Sequence, residues 1–196
     1  MDHKKTYELI GNIDIYVLDQ ILKGTYQPGQ SILDAGCGEG RNLKWFYQND
    51  FSLYGIDSNP ERIKIAQEIY SKIATQLRIG DLDNLPYGRS SFDHILCSAV
   101  LHFAKNTEHF QAMFKELIRV LKASGTLFIR VSSTIGLQGK NGFVQDSQTN
   151  ENGNFYITRE LISALLEIHP LKLMEPVKTT NVQDLRAMTT LVFQKE

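Results

Sequence analysis

From Ser31 to Asn42 the chain reads Ser-Ile-Leu-Asp-Ala-Gly-Cys-Gly-Glu-Gly-Arg-Asn, an apolar strand that ends in an acid and runs into glycines at every second position. No other stretch limits the fold as much. Gly36, Gly38 and Gly40 lack the Cβ atoms that would hold a ligand off the backbone, and they adopt positive φ without strain. Asp34 sets a carboxylate at the carboxyl end of the strand, where open α/β sheets bind their ligands. The spacing is G-x-G-x-G and not the G-x-G-x-x-G of a pyrophosphate binder, since Arg41 stands where that pattern needs its third glycine.

The segments that follow repeat the theme. A second strand over 52–56 ends in Asp57, 17 residues beyond Gly40. An acid near that distance at the next strand tip accepts hydrogen bonds from ribose hydroxyls. Asn59 is a good helix N-cap, Pro60 suits the first helical position and Glu61 favours the helix's positive end, so a helix starts directly after Asp57. A third strand over 77–81 closes with Asp81, and a fourth over 91–98 runs into Ala-Val-Leu-His-Phe103.

Periodicity supplies the remaining elements. Apolar residues at three- and four-residue steps mark a helix over 7–23 within an N-terminal helical segment, 1–30, and another over 107–122. A fifth strand spans 125–131, a last helix 158–168, and final strands 171–177 and 185–193. Alternating strands and helices imply a parallel sheet with right-handed crossovers, in one doubly wound α/β domain. The stretch 132–154 is rich in glycine, asparagine and glutamine, and its length and position after the fifth strand mark it as a cover for an acceptor site or as a solvent loop.

The blocks ILDAGCGEGRN, LYGIDSNPERIKIAQ and GDLDNLPYGRSSFDHILCSAVLHF resemble the class I S-adenosylmethionine-dependent methyltransferases over nearly the whole chain. The resemblance implies a mostly parallel seven-stranded sheet with helices on both faces and a C-terminal antiparallel hairpin. It also implies S-adenosylmethionine as cofactor: glycine backbone against its methionine part, Asp57 on the ribose diol and Asp81 facing the adenine amino group. Carried over onto this sequence, the cofactor-binding set is Asp34, Gly36, Cys37, Gly38, Gly40, Asn42, Asp57, Ser58, Asp81, Leu82 and Ser98. Arg41-Asn42 and NGNFYITREL are similar to tellurite-resistance-type and related small-molecule methyltransferases.

Composition narrows the partners. With 21 basic and 22 acidic residues the formal net charge is −1, so nothing draws the chain to a phosphate backbone or an acidic membrane. Two cysteines argue for a reducing cytosol, and the start Met-Asp-His-Lys-Lys lacks a signal peptide's apolar run. No apolar run approaches the ~18 residues of a membrane span. The expectation is a cytoplasmic monomer or homodimer acting on a small molecule.

The sulfonium of such a cofactor is an excellent leaving group, so holding donor and acceptor in line does most of the work, and a base is needed only if the acceptor must lose a proton. His102, Arg130 and Arg186 are the catalytic candidates, although His102 also suits a satisfied buried histidine, Arg130 a structural ion pair and Arg186 a solvated edge charge. The arginines would suit an anionic acceptor. Asp34 could equally cap the glycine turn, Asp57 a helix start and Asp81 a turn; taken together, three acids at successive strand ends favour the cofactor reading. Cys37 suits packing better than nucleophilic attack, and the histidines and cysteines show no metal-ligand spacing. A nicotinamide-dependent oxidoreductase is disfavoured by the glycine spacing and by the lack of a Tyr-x-x-x-Lys pair, and a non-catalytic cofactor-binding subunit stays open. Cys97-Ser-Ala-Val100 stands where amino-group methylases of nucleic acid carry Asn/Asp-Pro-Pro-Tyr/Phe.

Overall fold

A single sheet organises the described part of the chain, residues 2–137 and 155–196 of a computed structural model. Its strands are β1 (Ser31–Ala35), β2 (Ser52–Asp57), β3 (Leu77–Ile79), β4 (Phe92–Ser98), β5 (Leu121–Ser133), β6 (Leu171–Leu173), β7 (Lys178–Val182) and β8 (Arg186–Lys195). The helices are α1 (His3–Ile10), α2 (Ile15–Leu22), α3 (Lys44–Tyr47), α4 (Pro60–Ile69), α5 (Thr107–Val120) and α6 (Arg159–Ile168). The strand order is β3-β2-β1-β4-β5-β8-β6, with β7 also on β8. The first five strands pair in parallel, and β8 runs antiparallel to β5, β6 and β7. From β1 the chain winds outward to β2 and β3, then returns to lay β4 on β1's other side. The crevice beyond the carboxyl ends of β1 and β4 is therefore the topological switch point of a doubly wound sheet.

Strand parity sorts the core. Leu33 and Ala35 of β1, Ile95 and Cys97 of β4 and Leu127 and Ile129 of β5 pack on one face with α5 and α6. Ile32, Leu96 and Phe128 pack on the other, with Val17 of α2, Phe46 of α3 and Ala66 of α4. Two residues further along each strand, on that second face, stand Asp34, Ser98 and Arg130. The same period of two that builds the core thus brings three polar side chains to one sheet edge beneath α2.

Four expectations need correction. The helix over 7–23 is two helices, because Gly11 turns left-handed at φ +64° and Asp14 then caps α2, its Oδ1 accepting from the Tyr16 amide. The helix expected over 107–122 ends at Val120 and the strand expected over 125–131 already begins at Leu121, where Lys195 Nζ donates to the carbonyls of Ile118 and Leu121. The edge expected as one strand over 171–177 is β6 and β7 in succession against β8, interrupted around Pro176, which has no N–H to give the ladder. Counted by position across the sheet there are seven places, one of them filled by two short strands. Ser132 and Ser133, expected in the polar loop, belong to β5, paired with Met188 and Ala187. Of the rest of the expected cover, Ile135 is buried in the core, and 138–154 lies outside the described residues.

α2 is fastened at its far end by a four-group ionic cluster in which Lys23 and Lys178 each reach Asp19 and Glu175 at 2.5–2.8 Å. Among the described residues no helix is long and apolar enough to cross a membrane.

The amino-terminal edge of the sheet carries two adjacent titrating groups with opposite chemistry. His94 is buried, Nε2 bonding to Gln30 Oε1 and Nδ1 to the Thr126 hydroxyl at 2.8 and 2.7 Å, and burial lowers its pKa from 6.5 to about 4. Burial would raise Asp93, but the Ser31 hydroxyl and amide and the Lys122 ammonium outweigh it and hold the carboxyl at about 2, below its ordinary 3.8. The unfolded chain takes up the histidine proton first, so about 3 kcal/mol of stability should be lost as pH falls from 6.5 towards 4. The Asp93 contribution, about 2 kcal/mol, should follow between pH 4 and 2. Urea unfolding against pH checks both: His94→Gln should flatten the first fall and Asp93→Asn the second.

Candidate active site

The glycine turn is spliced onto the end of β2. The amides of Gly36 and Cys37 both donate to the Ile56 carbonyl, and the amide of Gly38 donates to Asp57 Oδ2 at 2.8 Å. Asp57 Oδ1 accepts from the Asn59 amide, while the Asn59 side chain accepts from Glu61 and Arg62 and so starts α4. One carboxylate thereby joins the turn, the strand tip and the helix start, and each of its oxygens keeps a further lone pair. At Gly36, φ +80°, a Cβ would come within 2.3 Å of the Val100 side chain; at Gly40, also +80°, it would meet the Tyr70 ring at 2.5 Å. Packing inside the protein claims the space these two glycines leave. Around Gly38 no side chain comes nearer than 3.8 Å, so there the need is conformational alone.

Above the turn lies a cavity of about 440 Å³. Gly36, Asp57, Ser58, Asp81 and Leu82 line it with Arg62, Asp83, Ala99, Val100, Phe103, Lys105, His109 and Met113, so five of the sequence-predicted cofactor residues meet in one wall. Asp34 stands behind the turn, 1% exposed, and its Oδ2 has no partner among the described residues. Burial pushes its carboxyl up to about 7; the Arg41 charge opposes this and the Asp57 charge adds to it. Cys37 is a packing residue: its sulfur lies where a Cβ on Gly55 would meet it, and burial raises the thiol far above its ordinary range.

A second cavity, about 470 Å³, opens on the other side of Ala99, which lines both. Its walls gather all three catalytic candidates, His102, Arg130 and Arg186, with Ser132, Tyr156, Thr180, Val182, Ala187 and Met188. Ala99 itself is left-handed at φ +62° and donates its amide to the Arg130 carbonyl at 2.7 Å. An alanine held there is strained, and such strain concentrates at functional sites. The His102 Nδ1 has no partner among the described residues, contrary to a satisfied buried histidine, and burial lowers the ring's pKa.

Asp14 organises this wall. Its side chain is fully buried, and Oδ2 accepts from the Ser98 hydroxyl at 2.8 Å and from Arg130 Nη1 at 2.9 Å, with Arg41 Nη2 at 3.6 Å. Burial would raise its pKa, but the bonds from Arg130, the Tyr16 amide and Ser98 prevail and hold it low and charged. The Arg130 guanidinium also lies over the Tyr16 ring, 5.3 Å from its centroid, and the Tyr16 hydroxyl bonds to Thr180 Oγ1 at 2.7 Å. Asn42 and Ser98 therefore serve from behind: Asn42 Oδ1 accepts the Asp14 amide, and Ser98 bridges Arg41 and Asp14, neither side chain lining the first cavity. Sequence reasoning missed Asp14, although Gly11 followed by an acid three residues on carried the signature of one helix ending and another starting.

Residues 33–129 match a family model described as a methyltransferase domain. An uncharacterised methyltransferase of Bacillus subtilis is 32% identical over 107 residues, 54% of this chain and 44% of the relative. The phthiotriol/phenolphthiotriol dimycocerosates methyltransferase of Mycobacterium leprae is 30% identical over 113 residues, 55% of this chain and 41% of the relative. The chain thus spans less than half the length of these two curated relatives. In fold it is similar to a solved SAM-dependent methyltransferase of Methanosarcina mazei, with a TM-score of 0.71 at 20% identity, covering 89% of this chain and 96% of that one.

The turn geometry orders its glycines. Gly36→Ala adds a close contact with Val100 to a left-handed alanine and should cost about 2–5 kcal/mol, whereas Gly38→Ala carries only the backbone term of about 1–2 kcal/mol. Thermal or urea unfolding of the two variants checks this, and Val100→Ala in the Gly36→Ala background should recover the contact part alone. Equal losses in the two single variants would show that Val100 does not fix the turn.

Proposed function

We propose that the chain is a class I S-adenosylmethionine-dependent methyltransferase and that it methylates a small molecule bound in the second cavity. The observation that carries this is the meeting of two cavities at Ala99, one walled by strand-tip acids and the other by His102 and two arginines. The residues of the first cavity suit the cofactor. Asp57 keeps lone pairs for a ribose diol, Asp81 with Leu82, Val100 and Phe103 offers an adenine both an acceptor and apolar walls, and the orphaned Asp34 carboxyl behind the turn calls for a cationic group such as the methionine end carries. When bound, S-adenosylmethionine supplies an electrophilic methyl group on a sulfonium that leaves readily.

The chain's own task is placement. Holding acceptor and donor in one geometry is worth up to ~7–11 kcal/mol of barrier, and the second cavity rests on β5 and β8, bonded over eight residue pairs. His102 supports acceptors that shed a proton: with its pKa lowered, the ring is neutral near pH 7 and can take a proton on a nitrogen without a partner. The balanced surface charge supports a small acceptor over a polyanionic one.

Radiolabelled S-adenosylmethionine with a panel of organic acids, phenols, thiols and tellurite tests the reading. No transfer to any class together with no binding of the demethylated product, S-adenosylhomocysteine, would sink it. In calorimetry Asp57→Ala should weaken S-adenosylhomocysteine about 10- to 100-fold, the loss of charged hydrogen bonds worth about 1.5–3 kcal/mol. Asp57→Asn keeps one acceptor and should lose less. With the acceptor found, His102→Gln should leave cofactor affinity unchanged and abolish the rise of turnover with pH through a pKa below 6.5; an identical pH profile would return His102 to a packing role.

A further inference from the structure

We propose that the second cavity is a binding site for an organic acid, its carboxylate gripped by Arg130 and Arg186 and its apolar body seated against Val182 and Met188. This rests on the functional reading above, since it names the acceptor class of the same site. Two guanidinium groups line this cavity and no carboxylate does, among the described residues.

Arg130 is oriented but only partly used. Arg130 gives Asp14 a single hydrogen bond, from Nη1, and its guanidinium lies over the Tyr16 ring, so the group cannot swing freely. Its Nε is buried with no acceptor among the described residues, and no carboxylate or carbonyl there accepts from Nη2. The Nε and Nη2 hydrogens form a planar fork that matches the two oxygens of a carboxylate, which a hydroxyl or an amine does not. Arg186 begins β8 at the cavity's mouth and is exposed, with no ion-pair partner among the described residues. Its charge is unspent. The rest of the wall includes the methyl and thioether groups of Val182 and Met188, which favour an acid with an apolar body over a fully hydrated inorganic ion. The opposite cavity carries three carboxylates, Asp57, Asp81 and Asp83, against the two cations Arg62 and Lys105, a wall of net negative charge. The two halves thus carry opposite polarity across Ala99, suited to a cationic donor on one side and an anionic acceptor on the other.

Calorimetry on the full chain saturated with S-adenosylhomocysteine tests the site with three probes that share a phenyl ring and differ in the head group: benzoate, benzyl alcohol and benzylamine. Benzoate should bind at least tenfold more tightly than benzyl alcohol, and benzylamine should give no heat of binding. Arg130→Lys keeps the ion pair with Asp14, and so the fold, but loses the fork; Arg186→Met removes the second charge from an exposed position. Each should weaken benzoate at least fivefold while S-adenosylhomocysteine affinity stays within twofold. Equal binding of benzoate and benzyl alcohol, or benzoate affinity untouched in both variants, overturns the proposal. Should the wild-type chain take no S-adenosylhomocysteine, the functional reading falls, and benzoate titrated into the unliganded chain still decides the anion site by the same contrasts.

Discussion

Asp14 keeps a negative charge inside the protein because a hydroxyl, a backbone amide and a guanidinium converge on it. A buried pair of this sort adds little over a well-packed apolar alternative, yet removing one partner commonly costs about 3–5 kcal/mol. Its value here is geometric. The residue caps α2, receives Ser98 from β4 and Arg130 from β5, and is tied through its amide to Asn42 in the glycine turn. Helix, sheet and turn are therefore fixed relative to one another at the point where the two cavities meet.

That convergence follows from strand parity. On β1, β4 and β5 the side chains facing α2 begin apolar, with Ile32, Leu96 and Phe128, and end polar, with Asp34, Ser98 and Arg130. The apolar part secures the helices, and the polar remainder lies at the carboxyl edge of the strands, where a doubly wound sheet has its crevice. Core and site are two ends of the same rows.

Much of the first cavity was legible because its signals are local. The glycine turn, the Asn59-Pro60-Glu61 helix start and the acid after each of the first three strands depend on residues a few positions apart, and the described structure places them as such. The second cavity was legible only in its members: His102, Arg130 and Arg186 were named one by one, but what joins them was not. Asp14 was hidden because an unbroken apolar stripe masked the break at Gly11. The split of the edge strand into β6 and β7 depends on what β8 offers as a partner, which no local window contains. Asn42 and Ser98, expected among the cofactor residues, bond instead to Asp14 behind the first cavity, a contact that only the three-dimensional structure draws.

The separations along the chain of these contacts bear on how the molecule is assembled. Asp57 and Gly38 are 19 residues apart, whereas Arg130 and Asp14 are separated by 116, and Tyr16 and Thr180 by 164. Closing long loops is entropically expensive and slow relative to local pairing. The joint between the glycine turn and Asp57 can thus organise early, while the wall of the second cavity must await the arrival of β7 and β8 on a sheet already formed. An incompletely folded chain would in this order possess the glycine turn and its carboxylate before it possessed the second cavity, so the arginine-lined wall is the last part of the molecule that folding completes.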